Sequence, residues 1–242
     1  AGSVKWLKIG LELFILGGPV LVDKLKGMGY NIFLDLKFYD IPNTVERAVK
    51  AAASIEADML TLHCQGGRKM CEGAKSAIAN MQKKPLLFGV TVLTSFAAGE
   101  MPGINEEPRT FATSLAGNAH NWGLNGVVCS GQEVAGIKAS YPDLLALCPG
   151  IRPAGQASND QSRVVTPGQA VSSGADFIVV GRPITNSPNP ARAASEILCE
   201  MEKAKNMPTS SQPSMEELQE VFADIAQKGD DILAIFLSSK LS

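Results

Sequence analysis

Short apolar runs alternate with stretches of helical periodicity along most of this 242-residue chain, and this alternation restricts the fold more than any other feature. Apolar residues recur at helical spacing within residues 44–55, 68–81 and 109–122, which predicts helices between the runs. Strands that alternate with helices are typical of a parallel α/β sheet. The predicted strands are Trp6–Gly10, Ile32–Lys37, Met59–His63, Leu86–Leu93, Gly126–Cys129, Leu144–Cys148 and Phe177–Val180.

The residues that end these runs favour a closed barrel over an open sheet. An open doubly wound sheet commonly has five or six strands and a (β/α)8 barrel has eight, so a count of seven does not separate the folds. Nearly every run, however, ends in polar or charged residues, such as Lys8, Lys37, His63 and Thr94–Ser95. In a barrel all these ends converge on one mouth, where active sites lie. We therefore predict an α/β protein with a (β/α)8 TIM barrel.

Two loops near the end of the predicted barrel combine glycine with arginine. Gly150 and Arg152 follow the next-to-last run, and Gly181 and Arg182 follow the last one. Glycine allows the backbone to approach a ligand closely, and arginine supplies charge-assisted hydrogen-bond donors. A turn explains each glycine taken alone, but the repetition on consecutive strands predicts a phosphate site.

The segment FLDLKFYDIPNT (residues 33–44) places three charges in or beside a buried strand. Asp35 and Lys37 are two residues apart and therefore point to the same face of a strand, toward the barrel interior. Lys8 ends the adjacent strand, and Asp40 lies just beyond Lys37. Alternating charges stay ionised in a partly buried site because each is flanked by its opposite. The spacing predicts a network of Lys8, Asp35, Lys37 and Asp40, which is either catalytic or purely structural.

Composition excludes several classes of partner. The formal net charge is −2, which implies no general affinity for nucleic acid or acidic membranes. The apolar runs are too short to span a bilayer. Five scattered cysteines form no disulfide framework and no metal-binding spacing, so Cys64 and Cys71 are interpreted as core residues. We expect a cytoplasmic protein with no membrane or nucleic-acid partner.

DLKFYDIPNT (residues 35–44) resembles the D-x-K-x-x-D-I-P-N-T signature of the orotidine 5′-monophosphate decarboxylase family. The resemblance extends over roughly residues 4–205. It includes the segments LKIGLELF (7–14), GVTVLTS (89–95), CPGIRP (148–153), DQSRVVTP (160–167) and VVGRPIT (179–185).

The resemblance implies that orotidine monophosphate loses CO2 from C6 and becomes uridine monophosphate, without cofactor or metal. Lys37 would protonate C6 and Asp35 would lie against the departing carboxylate, while Lys8 and Asp40 hold the network in place. Members of the family share active sites between two subunits, which implies a homodimer. The residues that would reach the neighbouring subunit are Asp40, Ile41 and Thr44.

The resemblance also implies how the rest of the substrate is held. Ser95 would contact the pyrimidine amide. Gln161, Gly181 and Arg182 would hold the phosphate, and Pro149, Gly150 and Arg152 would shape the same rim.

The sequence departs from the family pattern at both ends. The family's opening strand, which ends in a ribose-binding aspartate, is not found before Trp6, so residues 1–205 are predicted to supply strands two to eight. The C-terminal tail (residues 206–242) is predicted from its sequence to hold a linker, a helix at 215–227 and a strand at 232–237. That strand could close the barrel as in a circular permutation, with Phe236 near the position of the missing aspartate. The tail could equally begin a second domain, such as a phosphoribosyltransferase.

The sequence is also compatible with two other functions. One is a magnesium-dependent lyase of the same barrel superfamily that acts on a sugar phosphate. The other is an inactive nucleotide-phosphate binder, which the missing first strand motivates.

Overall fold

The computed structural model describes residues 4–153 and 164–204 and, for the backbone alone, residues 233–237. The strands are β1 Trp6–Ile9, β2 Asn31–Phe38, β3 Met59–His63, β4 Leu86–Val90, β5 Gly126–Val128, β6 Leu145–Cys148, β7 Phe177–Val180 and β8 Leu233–Leu237. The helices are α1 Leu11–Gly27, α2 Pro42–Ser54, α3 Gly67–Ala77, α4 Pro108–Asn121, α5 Val134–Ser140, α6 Pro167–Ser172, α7 Arg182–Thr185 and α8 Pro190–Ala204. None of the helices in the described ranges is long and apolar enough to cross a membrane.

The strands form a closed barrel in which the C-terminal tail supplies the last strand. Strands β1 to β7 pair in sequence order and are parallel, whereas β8 lies between β7 and β1 and is antiparallel to both. Leu233 pairs with Lys8 at the mouth, and Leu237 pairs with Phe177 at the opposite end. A circular permutation would have given a parallel strand. The expectation for Phe236 is therefore wrong, because the reversed direction places Leu233 beside Lys8.

Alternation along the strands divides the core into two layers, one inside the barrel and one between barrel and helices. Trp6, Phe88 and Phe177 fill the inside near the amino-terminal ends of the strands. The ring of Phe177 meets both others edge-on, with centroids 5.8 Å from Trp6 and 5.7 Å from Phe88. These rings fill the barrel interior at the end opposite the mouth.

At the amino-terminal end of the barrel, polar side chains connect β2 with β3, β4 with β5 and β6 with β7. In each case an aspartate or asparagine just before one strand accepts a hydrogen bond from the backbone N–H of the second residue of the preceding strand. The three bonds are Asp58 Oδ2 from Ile32 at 2.7 Å, Asn125 Oδ1 from Leu87 at 2.8 Å and Asp176 Oδ2 from Ala146 at 2.8 Å. Lys26 and Lys138 pair with the two carboxylates at 2.8 Å and 2.6 Å. The amino-terminal end of the barrel therefore contributes to stability, whereas the active site is expected at the mouth, where the carboxyl ends of the strands lie.

Cys64 and Cys71 are core residues, as predicted. All five cysteines are unpaired thiols, and Cys64, Cys71, Cys129 and Cys148 are buried. Burial and the neighbouring Glu72 raise the pKa of Cys71 to about 12, and burial raises that of Cys64 further. These thiols are therefore protonated near neutral pH and are poor nucleophiles.

Candidate functional site

The carboxyl end of β2, which carries Asp35 and Lys37, is not a regular strand. Pairing with β3 shifts register between Leu34 and Phe38, so the strand bulges there. Lys37 adopts a φ of 49°, a left-handed conformation that is uncommon for residues other than glycine. Such backbone strain costs about 1–3 kcal/mol and tends to occur at functional sites. The bulge brings both side chains into the barrel mouth.

Lys8, Asp35 and Lys37 form one ion cluster. Asp35 Oδ2 accepts from Lys37 Nζ at 2.8 Å and from Lys8 Nζ at 3.1 Å. Asp35 Oδ1 accepts from the hydroxyl of Thr61 at 2.9 Å. A side chain on Gly10 would stand 3.1 Å from Lys8 Nζ, so the glycine leaves room for this ammonium.

The cluster carries a net positive charge. Burial alone would raise the pKa of Asp35, but the charges of Lys8 and Lys37 and the hydrogen bonds from Lys37 and Thr61 outweigh it. The pKa of Asp35 is therefore lowered, and its carboxylate is ionised at neutral pH. Two ammonium groups then surround one carboxylate. The site is suited to an anionic ligand.

A cavity of about 250 Å³ lies above the cluster at the mouth. Lys8, Asp35, Lys37, Ser95 and Pro149 contribute to its wall, together with apolar residues of the barrel interior: Phe33, Val90, Val128, Leu147 and Val179. The side chain of Lys37 is 33% exposed, compared with 9% for Lys8 and Asp35. Lys37 is thus the ammonium that a ligand in this cavity could reach, and the apolar wall strengthens its electrostatic interactions.

Asp40 does not join the cluster that the spacing predicted. It lies beyond the strand end, where its Oδ1 accepts the backbone N–H of Ile41 at 2.7 Å, ahead of helix α2. Among the described residues it makes no ion pair. Ile41 is 67% exposed and Thr44 is also exposed, and neither contributes to the cavity wall. These three residues face outward beside the mouth.

The two glycine–arginine loops flank the cavity. Gly150 has a φ of 73°, so a turn that only glycine adopts readily follows β6. Arg152 is buried, and its Nη1 donates to the carbonyl of Ile151 at 2.9 Å. Gly181 directly follows β7 and precedes α7, which begins at Arg182. Neither arginine contributes to the wall described above, although both follow strands whose residues do. Gln161 lies outside the described residues.

Sequence reasoning missed Thr61. It is fully buried in β3, and besides donating to Asp35 it accepts the backbone N–H of Lys37 at 3.0 Å. The available signal was a hydroxyl in the otherwise apolar segment MLTL (residues 59–62).

His63, at the end of β3, is partly buried. Its ring lies against Tyr39, with centroids 5.4 Å apart. Burial, followed by the charge of Lys37, lowers the pKa of His63. Within the ranges described, no three His, Cys, Asp or Glu side chains are grouped so that they could hold a metal ion.

Comparison with known proteins finds the same family over the part of the chain that holds β1 to β7. The "Orotidine 5′-phosphate decarboxylase / HUMPS family" model matches residues 1–197. An orotidine 5′-phosphate decarboxylase from Nitratidesulfovibrio vulgaris (strain DP4) is 51% identical over 83% of this chain and 88% of its own length. The one from Lawsonia intracellularis is 48% identical over 81% and 87%.

Solved structures agree with the sequence comparison. The crystal structure of orotidine 5′-phosphate decarboxylase from Lactobacillus acidophilus is 37% identical, with a TM-score of 0.70 over 80% of this chain and 85% of that one. A second family model, described as an uncharacterised protein of the DegV family, matches residues 189–242, which include α8 and β8. The match to the first model covers most of the chain and includes every residue of the ion cluster. The chain belongs to the orotidine 5′-phosphate decarboxylase / HUMPS family.

Proposed function

We propose that this protein decarboxylates orotidine 5′-monophosphate to uridine 5′-monophosphate in pyrimidine biosynthesis, without a cofactor. The observation that carries the proposal is the pair formed by Asp35 and Lys37, 2.8 Å apart at the wall of a mostly apolar cavity. The ionised carboxylate of Asp35 repels the carboxylate of the substrate, which favours its loss as CO2. The accessible ammonium of Lys37 stabilises negative charge on C6.

The reaction follows from these two groups. The bond between C6 and the carboxylate carbon breaks, CO2 leaves, and the electron pair remains on C6. Lys37 donates a proton from Nζ to C6, and the resulting neutral amine regains a proton from solvent. A fixed ammonium in an apolar site stabilises the developing charge without the reorganisation that water would require. Asp35 and Lys8 keep the Lys37 ammonium in place before the substrate binds.

The rest of the substrate supplies binding energy. In this proposal Gln161, Gly181 and Arg182 bind the phosphate, Arg152 shapes the rim of the phosphate site, and Ser95 contacts the pyrimidine amide. Phosphate binding lies far from the reacting carbon, yet its energy can hold the substrate carboxylate against Asp35. The decarboxylase names of the relatives do not favour the magnesium-dependent lyase.

The deciding experiment follows the absorbance of orotidine monophosphate with the 242-residue chain and an excess of EDTA. Turnover with uridine monophosphate as product is expected, because no step above requires a metal. Loss of turnover in EDTA, restored by Mg²⁺, would instead support the lyase alternative. Binding of uridine monophosphate without any turnover would identify an inactive nucleotide-phosphate binder.

The proposal includes a homodimer in which Asp40, Ile41 and Thr44 of one subunit reach the mouth of the other. Tyr39 and Ile41 are 60% and 67% exposed beside the mouth. Helix α1, which follows the neighbouring strand, exposes further apolar side chains around its kink at Gly18: Leu11, Ile15, Leu16 and Val20. Apolar side chains exposed together commonly mark interaction surfaces. A cytoplasmic location is also part of the proposal, since a reducing compartment keeps the five thiols free.

Shared sites can be tested by mixing Lys37→Ala and Asp40→Ala subunits, each inactive alone. In a mixed dimer one site would lack both groups, whereas the other would have an intact Lys37 and the partner's intact Asp40. Equal mixing with random pairing should therefore restore about a quarter of wild-type activity. Sedimentation of each variant gives the control for dimer formation. If mixing restores nothing although dimers exchange, the shared-site proposal is wrong.

A further inference from the structure

Thr61 connects the two groups of the proposed chemistry without touching the cavity itself. Its hydroxyl donates to Asp35 Oδ1 at 2.9 Å and accepts the backbone N–H of Lys37 at 3.0 Å. It is fully buried and is not among the residues of the cavity wall. A single oxygen on β3 thus contacts both the carboxylate and the backbone of the ammonium residue on β2.

These two contacts address two different structural needs. The first fixes the carboxylate rotation, because Oδ1 is occupied by the hydroxyl and Oδ2 is left to the ammonium groups of Lys8 and Lys37. The second supplies a partner for a backbone N–H in the bulge, where regular pairing with β3 is interrupted. The left-handed backbone of Lys37 is costly and persists only when its surroundings fix it.

We infer that Thr61 is a positioning residue, whose hydroxyl fixes the Asp35 carboxylate and the strained Lys37 backbone so that Lys37 Nζ is held at the reacting carbon. This inference rests on the proposed function, since it concerns the same site. A buried threonine that merely fills space is the competing explanation. The positioning role and the space-filling explanation predict different results when the hydroxyl alone is removed.

Thr61→Val and Thr61→Ser form the matched pair for the test. Valine keeps the shape and loses the hydroxyl, whereas serine keeps the hydroxyl and loses a methyl group. Hydrogen bonds to charged groups are strong enough that kcat/KM should fall roughly 10- to 100-fold in Thr61→Val. Thr61→Ser should stay within about threefold of wild type if the hydroxyl is what matters. The loss should lie in kcat, with affinity for uridine monophosphate unchanged, because Thr61 is outside the cavity wall.

Titration of Asp35 provides a readout that does not require turnover. A hydrogen bond to the ionised carboxylate lowers its pKa, so Thr61→Val should raise the pKa of Asp35 and Thr61→Ser should not. The carboxyl ¹³C resonance, assigned with Asp35→Asn, measures this directly. In the active enzyme the acidic limb of the kcat/KM profile should move to higher pH in Thr61→Val.

The outcomes separate this inference from the proposed function. Wild-type activity with an unchanged Asp35 pKa in Thr61→Val would overturn the positioning role. Equal losses in both variants, together with a lower Tm, would indicate packing and also overturn it. If the wild-type chain does not turn over orotidine monophosphate, the proposed function fails, while the ¹³C titration still decides whether Thr61 fixes the cluster.

Discussion

Replacement of Lys37 by alanine is expected to abolish turnover of orotidine monophosphate while the barrel remains folded. Lys37 carries the ammonium group that is accessible from the cavity, and it would both stabilise charge on C6 and donate the proton. Loss of a general acid together with a fixed charge should lower kcat by at least about 10⁴-fold. Asp35 would retain Lys8 and Thr61 as partners, so the buried carboxylate would not be left unpaired.

The measurement compares kcat with the thermal unfolding midpoint in the same preparation. Lys84→Ala is a suitable control, because Lys84 is exposed and makes no ion pair within the described residues. The control should match wild type in both quantities. Lys37→Ala should also bind uridine monophosphate, whose phosphate contacts do not involve Lys37. An unchanged kcat in Lys37→Ala would exclude Lys37 as the proton donor.

The positions of the strands could be predicted because each strand is a short apolar run that is followed by polar residues, and both features are visible in the local sequence. The predicted bounds of Met59–His63 and Phe177–Val180 are identical to those of β3 and β7. The run Leu86–Leu93 was predicted too long, since β4 ends at Val90. Val92 and Leu93 are apolar because they border the cavity and not because they pair in the sheet.

The proximity of Asp35 and Lys37 was also predictable, but the way in which it arises was not. A two-residue spacing places both side chains on one face of a regular strand. The actual strand bulges, and within the bulge the backbone N–H of Lys37 donates to the hydroxyl of Thr61, which lies 24 residues away along the chain. Asp40 was predicted in the cluster because spacing alone does not show that the chain turns away after Phe38.

The direction of β8 was not predictable for a different reason. LAIFL (233–237) is a short, wholly apolar run, and such a run indicates a strand without indicating the direction in which the strand runs. The partner strands decide the direction, and they are more than 50 residues away in sequence.

Deletion of residues 206–242 is expected to remove most of the stability of the barrel. Without β8, three residues of β1 and four of β7 lose their strand partner, and the barrel opens between them. Trp6, Leu7, Phe177 and Ile178, which are buried on these two strands, would then become accessible to water. Because a domain is stable by only about 5–15 kcal/mol, such exposure is comparable to the whole free energy of unfolding.

A single substitution tests the same idea without shortening the chain. Ala234 pairs with Leu7 on one side and Val180 on the other. Proline at this position has no N–H to donate and should lower the free energy of unfolding by about 3 kcal/mol, measured by urea denaturation. Ala234→Ser keeps the N–H and should stay close to wild type. If the truncated chain and Ala234→Pro both unfold at the wild-type urea concentration, then β8 does not hold the barrel closed in solution. If both are destabilised and the serine variant is not, the tail is part of the barrel even though its direction is the reverse of every other strand.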